Sequence, residues 1–519
     1  MTCLWTTFRP RRSKSKIKMS DRPGGTASIR SVPRAFILCL VLLLVATARC
    51  ARHIGPVAAG SATLRIGIGG LPLQTPQSGL RQLVANLSLE GLVNFNEDGR
   101  PRPWLAEGWT IAPDRLSVTV QLRKHARFHD GTLVTAPVVV QALLKNLPDL
   151  MGPAFEDVSQ IVAENDEQVR VTLRQPSQFL LDALDVSIQM PDEVAVGTGP
   201  FTPTQSPSTA PSELRATVDY YLGRPGIDKI VVTPYPTVRA AWADLLRGNI
   251  DMLHEVNADA LDSLQGSTEV SVFSFVRHYQ YAITFGNLGS ALKSAEVRRE
   301  LNAAIDRDAI VRVALSGHGV PSTGPIPPHH WALTQSTPRL EFNSDLAKRL
   351  ATRKLHFTCL VPADSVYERV ALAVKQQLAT VSVDMQVVEA TQEQILKATR
   401  DQRFEAVLVD PISGPNVFRS YRQFYSKASF VPKPRGSAQT DAALDRIRHA
   451  SSDDEYRVGV TAFQQAIIND PPALFIAWGE RARAVSRRFD VPVAESGRDV
   501  LATLRLWRPV TAQRLASRD

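Results

Sequence analysis

Residues 96–147 read NEDGRPRPWLAEGWTIAPDRLSVTVQLRKHARFHDGTLVTAPVVVQALLKNL, and the succession of elements inside them orients the rest of the chain. The stretch opens on a turn, Glu97-Asp98-Gly99, followed by Pro101 and Pro103. A short apolar-aromatic segment, Trp104 to Trp109, leads to a second turn at Pro113-Asp114. Leu116, Val118, Val120 and Leu122 then alternate with Ser117, Thr119 and Gln121. A period of two puts those four apolar side chains on one face of a strand. Lys124 to Thr132 is a polar turn, and Val138 to Leu147 has the character of a helix that Pro148 is expected to stop.

The order of residues in this block carries a resemblance. Trp104-Leu-Ala-Glu-Gly-Trp109, Pro113-Asp114, Val120-Gln-Leu-Arg-Lys124, Phe128-His-Asp-Gly-Thr132 and Thr135-Ala-x-x-Val139 follow one another as in the signature block of the family 5 solute-binding proteins. Those are extracytoplasmic receptors of ABC importers for oligopeptides, dipeptides, nickel and some sugars. One departure is Pro137, which stands where the family has acidic residues.

Further segments follow in family order. They are Val196-Gly-Thr-Gly-Pro-Phe201, Tyr221-Leu-Gly-Arg-Pro225, Asp228-Lys-Ile-Val231, Leu246-Arg-Gly-Asn-Ile-Asp251, residues 294–310 and Gly324-Pro-Ile-Pro-Pro-His-His-Trp331. Read from the residues alone, alternating strands and helices indicate α/β lobes. The resemblance implies a two-lobe, periplasmic-binding-protein type II-like α/β fold with a hinge and an extra subdomain in the first lobe. On that reading 63–95, 196–282 and 478–510 form lobe I, 96–195 the extra subdomain and 283–477 lobe II, with the hinge near 280–285 and 475–480. Helical spacing is expected at Val297, Leu301, Ala304 and Ile305, and a second helix opens at Ile310 and Val313, with Gly317 as its cap. Val366 to Leu378 and Tyr456 to Ile468 are expected helices. Ala62 to Ile68, Val381 to Val388 and a short buried segment, Leu474 to Trp478, are expected strands.

The net charge of +9 would suit a nucleic-acid partner if it were spread over the fold. It is not: residues 1–50 hold ten Lys/Arg and one Asp, and the remaining residues carry 50 basic and 50 acidic side chains. No nucleic-acid partner is expected. Fourteen uncharged, mostly apolar residues, Ala35 to Ala48, follow Arg30 and Arg34, too short for a membrane span and suited to a secretory signal. Residues 1–50 therefore form a leader, with Met19 an alternative start, and 51–62 a tether. Ala46-Thr47-Ala48 fits ordinary signal cleavage. Lipid anchoring at Cys50 is not favoured, because Arg49 stands where a lipoprotein site takes a small residue. Past the leader only Cys359, and Cys50 if it is retained, remain, so an exported fold is expected to rest on its core rather than on disulfides.

Enzyme motifs fail. There is no Gly-x-Ser-x-Gly elbow and no Cys-x-x-Cys pair, and His254-Glu255 lacks a second His at position 258. Gly67-Ile-Gly-Gly-Leu-Pro72 misses the third glycine of a dinucleotide loop. Catalytic residues, cofactors and metal ligands are therefore not expected, and the adjacent His329-His330 is assigned to a loop. Phe128-His-Asp-Gly131 is read as a structural turn.

The resemblance implies ligand contacts at the turn after the first strand, Gly70 and Leu71, and at two aromatics near the cleft or hinge, Trp331 and Trp478. It also implies contacts in Phe404 to Phe418, where peptide receptors of the family carry an Asp that pairs with the ligand's α-amino group. Asp410 is the nearest acid but lies one residue too far upstream, while Pro415-Asn416-Val-Phe418 matches the tail of the motif, which makes Asn416 a candidate. The implied partners are a small, peptide-like ligand and an ABC permease in the inner membrane, with the receptor a monomer. A saccharide, opine or nickel ligand, and a sensory or scaffolding role, stay open as alternatives.

Overall fold

Leu64, Ile66 and Ile68 alternate with Arg65, Gly67 and Gly69, and in the computed structural model they form the strand β1 (Thr63–Gly69). The structure describes residues 62–70, 75–190, 196–204, 211–256, 258–289, 291–411, 414–428, 437–492 and 499–510. The expected leader and tether, up to residue 61, and Leu71 lie outside them. The three aliphatic side chains of β1 are buried against Leu80, Leu83, Val84 and Leu87 of the helix Pro76–Ser88. Each such burial contributes about 1.5–3 kcal/mol relative to exposure. The other face must be glycine at Gly69, because a Cβ there would collide with the backbone of Val238, where the helix Val238–Leu246 crosses.

Ten more strands join β1: β2 (Phe201–Pro203), β3 (Ser212–Ala216), β4 (Lys229–Tyr235), β5 (Met252–Val256), β6 (Val270–Phe285), β7 (Gly319–Pro321), β8 (His356–Pro362), β9 (Asp384–Ala390), β10 (Ala406–Val409) and β11 (Ala473–Ser486). Their order is β9-β8-β10-β6-β11-β5-β1-β4-β3-β2, with β7 on β11. Strand β1 runs parallel to β4 and β5, and β8 runs parallel to β9 and β10. Both halves are covered on two faces, which is why all four residues of β10 are apolar and buried.

The long antiparallel strands β6 and β11 run through both halves. Their ladder proceeds from Val270↔Ser486 to Val276↔Glu480, breaks, and resumes from Gln280↔Trp478 to Thr284↔Ala473. Three residues of β6 thus face Gly479 alone, a bulge of the kind that bends a strand pair. On one side of the break β11 also pairs with β5, on the other with β7.

Between β1 and β2 the chain builds a separate antiparallel sheet, ordered Ala106–Ile111, Ser117–Leu122, Gln168–Leu173, Val158–Asn165. Val118, Val120 and Leu122 are buried and the intervening residues are not, as the alternation requires. The helix beside this sheet runs from Ala136 to Met151 and includes Pro148, which corrects the expected stop. Proline removes one backbone bond, but Leu147 and Met151 are fully buried on the same face, and their burial carries the helix one turn further. The core of this subdomain continues into the helices Val417–Phe424, Ala438–Arg448 and Asp453–Asn469. A buried pair fastens the contact: Arg448 Nε and Nη2 bind Asp157 at 2.5 and 2.6 Å.

Leu474–Trp478 is the start of β11 rather than a short strand. The strand runs on through Glu480, Arg481 and Arg483 because each of these charges finds a partner, which periodicity cannot register. The expected helices appear as Ala295–Ala303, Arg307–Ala314, Ser365–Ala379 and Asp453–Asn469. Gly317, at φ +85°, donates its N–H to Val311 and closes the second of these. Cys359 is fully buried in β8, and burial pushes its thiol up to about 12. Among the described residues, no helix is long and apolar enough to cross a membrane.

Candidate functional site

The Phe128-His-Asp-Gly131 turn is held by its own residues. Asp130 accepts from the backbone N–H and the hydroxyl of Thr132, and Gly131 takes φ +90°. His129 docks the turn onto the glycines of the Val196–Phe201 segment, its N–H donating to the Gly197 carbonyl and its Nε2 lying 3.0 Å from the Gly199 carbonyl. The two most conspicuous motifs of the chain therefore meet each other.

Close by, Glu90 is buried and gathers four donors: Trp104 Nε1 at 2.8 Å, Thr198 Oγ1 at 2.9 Å, and the hydroxyls of Tyr220 and Tyr221 at 2.5 and 3.1 Å. Burial raises the carboxyl to about 7 against the opposing pull of these hydrogen bonds. This node ties the root of the subdomain to the sheet half that contains β1.

A cleft of about 540 Å³ opens over the ladder break in β6 and β11. The helix Pro76–Ser88, capped by the Thr75 hydroxyl and begun by Pro76, buries its leucines and turns Gly79, Gln82 and Asn86 toward the cleft. The hairpin strand Val93–Phe95 and its turn bring Asn94, Phe95, Asn96 and Glu97. The crossover strands supply Phe275, Val276, Tyr279 and Arg483, and β5 supplies His254. The far wall is Pro327-Pro328-His329 with Gly414, Pro415 and Arg419.

Most of the charge in this cleft is already paired. Arg483 chelates Asp499 at 3.0 and 2.6 Å and lies over the Phe275 ring. Arg419 binds Asp185 at 2.6 Å. Side-chain amides, aromatic faces and proline edges dominate the rest. A second cavity of about 390 Å³ shares Asn86, Asn94, Phe95 and Ala502 with the cleft and reaches Glu90, Asp185 and Arg505.

Of the residues singled out in the sequence, Leu71 lies outside the described residues, and Gly70, Trp331, Asp410, Asn416 and Trp478 are not on the lining of the cleft. Gly70 ends β1, donating its N–H to the Tyr235 carbonyl. Asn416 is the N-cap of Val417–Phe424 and is buried, while its neighbours Gly414 and Pro415 line the cleft. Trp478 is 1 % exposed and belongs to the core. The guanidinium groups of Arg100 and Arg457 lie over the Trp331 ring, which also packs against Tyr456. Asp410 accepts a hydrogen bond from Tyr367 beside Tyr281 and Arg481. That cluster straddles the break, since Arg481 also binds Glu255 of β5 at 2.9 Å and donates to the Tyr281 hydroxyl at 3.0 Å.

The adjacent histidines point apart. His330 is buried, stacked near Tyr456, and accepts from the Ala332 N–H through Nδ1, whereas His329 is exposed on the cleft. Burial lowers His330 to about 3. Among the described residues no three His, Cys, Asp or Glu side chains gather into a metal site.

Of the lining residues that sequence reading missed, Gln82 and Asn86 were detectable as a polar stripe opposite the leucines. Phe275, Arg419 and Arg483 carry no local signal. They reach the cleft only through the sheet and the 414–424 segment.

Comparison with known proteins adds the following. The sequence profile of the bacterial extracellular solute-binding proteins, family 5, matches residues 100–430. The chain is 22% identical over 473 residues to the oligopeptide-binding protein AppA of Bacillus subtilis, covering 82% of this chain and 87% of that one. It is 26% identical over 323 residues to the glutathione-binding protein GsiB of Escherichia coli, covering 58% and 61%. The crystal structure of NikZ from Campylobacter jejuni in complex with Ni(L-His) superposes with a TM-score of 0.73 at 20% identity, over 86% of this chain and 99% of that one. AppA in complex with a nonapeptide gives 0.71 at 20%, with the same coverage. These superpositions show a shared fold.

Proposed function

The chain belongs to the bacterial extracellular solute-binding proteins, family 5, and from that premise we propose that it is the substrate-binding receptor of an ABC importer for a peptide-like ligand. The observation that carries this reading is the position of the cleft. Its walls come from both sheet halves and from the subdomain, and it lies over the bulge where β6 and β11 pass from one half to the other.

The bulge is the hinge of this reading, and the two sheet halves are its lobes. A ligand touching Gln82 and Asn86 on one side and Pro328 and Pro415 on the other favours the closed form. The differential contacts on the two walls are the whole driving force for closure. The closed receptor then presents the ligand to a membrane permease. It performs no catalysis, needs no cofactor, and works as a monomer outside the cytoplasm. The oligopeptide-binding relative and the nonapeptide-bound neighbour support the choice of ligand.

The test is a thermal-shift screen of the purified protein against dipeptides, tri- to pentapeptides, oligosaccharides and nickel. A ligand that binds only the folded state stabilises it by about 2.7 kcal/mol at a hundredfold excess over its Kd. A peptide hit supports the reading. A hit confined to saccharide or metal keeps the receptor and changes its cargo, and silence from every class overturns it.

A further inference from the structure

We propose that Glu97 is the ligand-anchoring carboxylate of the cleft, pairing with a cationic group, an ammonium in the first instance, on the bound molecule. The proposal rests on the receptor reading above and specifies the chemistry of its ligand.

The argument is a charge balance over the cleft wall. Two carboxylates line it, Glu97 and Asp499. Asp499 is chelated by Arg483, and the other lining arginine, Arg419, is held by Asp185. Among the described residues Glu97 has no ion pair and no hydrogen bond to its side chain. Its neighbour Asp98 is already committed, accepting from the Arg100 N–H at 3.0 Å through its side chain and from the Trp331 N–H through its carbonyl. One negative charge is therefore left over in a cleft whose other lining carboxylate and arginines are paired, with the rings of Phe95, Phe275 and Tyr279 also on its lining. Partial enclosure strengthens the field of that charge on a ligand.

Glu97 is also held in place. It sits in a turn closed by the Gly99 N–H donating to the Asn96 carbonyl and the Asn96 N–H donating to the Arg100 carbonyl. Gly99 lies against the Pro415 carbonyl, so that a Cβ there would collide with it. The carboxylate thus stands on a backbone packed against the opposite wall. Asp410, in the segment that resembles the family's amine-binding motif, is bonded to Tyr367 and is not on the lining. In this chain the anchoring charge has moved from the 404–418 segment to the 95–99 turn.

Calorimetric titration of the full protein with di- to pentaalanine, each with a free or an acetylated N-terminus, tests this. Wild type is expected to prefer the free amine, and Glu97→Gln to weaken free-amine peptides about 10- to 100-fold, the range of a charge-assisted pair. Acetylated peptides should be unaffected, and Asp410→Asn should keep the preference for the free amine. An unchanged melting temperature of Glu97→Gln shows that its fold is intact. Equal binding of both peptide forms by wild type, or a free-amine preference that survives Glu97→Gln, overturns the proposal. Loss of the preference in Asp410→Asn but not in Glu97→Gln returns the anchor to Asp410. If the protein ignores every peptide but binds an oligosaccharide or a nickel–histidine complex, this proposal fails and the receptor reading survives. Silence toward all of them ends both.

Discussion

Replacing Glu90 by Gln should remove a pH dependence of stability that the wild-type protein carries between about pH 4.5 and 7. The carboxyl is buried, and burial raises it from 4.5 to about 7 even though four donors surround it. The folded state therefore holds this proton more tightly than the unfolded state does. Within that window the native protein binds more protons than the unfolded chain, so the slope of stability against pH is negative. Stability contributed by the protonated form is full below the unfolded value and is lost as pH rises through about 7. A gap of two to three pH units corresponds to ~3 kcal/mol. The expected result is near-equal stability of wild type and Glu90→Gln at pH 5. At pH 8 the wild type should fall behind the variant by ~3 kcal/mol. Urea denaturation followed by intrinsic fluorescence at the two pH values reads the difference directly. Parallel profiles for the two proteins from pH 5 to 8 would refute the reasoning, because they would mean that the four hydrogen bonds fully offset the cost of burying the charge.

Two further outcomes follow from packing. Arg448→Met leaves Asp157 buried without its main counter-charge and should cost ~3–5 kcal/mol in the same denaturation assay, whereas Arg448→Met with Asp157→Leu should recover much of the loss. A cost below about 1 kcal/mol for the single change would show that this pair does not fasten the subdomain to the helices beside it. Gly99→Ala places a methyl group against the Pro415 carbonyl at φ +85°. It should cost roughly 1–2 kcal/mol through its left-handed backbone alone. It should also weaken ligand binding, since both segments line the cleft, and calorimetry with unchanged affinity would contradict that placement.

Part of this architecture was legible because its signal is local. The alternation at Val118, Val120 and Leu122 marks a strand whichever sheet receives it. The Gly131 and Asp130 turn is likewise written in side chains that bond their own backbone. The reach of β11 was not legible. Glu480, Arg481 and Arg483 look like the end of a buried strand until His318, Glu255 and Asp499 are seen beside them, and those partners are remote in sequence or outside the strand. The same holds for Pro148, where the burial of Met151 outweighs a local rule.

The cleft shows the difference most clearly. Gly414 and Pro415 reach its wall while Asn416, the motif residue beside them, turns inward to cap a helix. The sequence by itself determined the family, the period of the strands and helices, and the confinement of net charge to residues 1–50. Each of these depends on neighbours a few residues away or on composition alone. The tertiary structure decided which charges are satisfied and which line the cleft. Whether Asp410 or Glu97 is available to a ligand depends on Tyr367, Arg483 and Arg419, side chains that become neighbours only when distant segments pack around one bulge in two long strands.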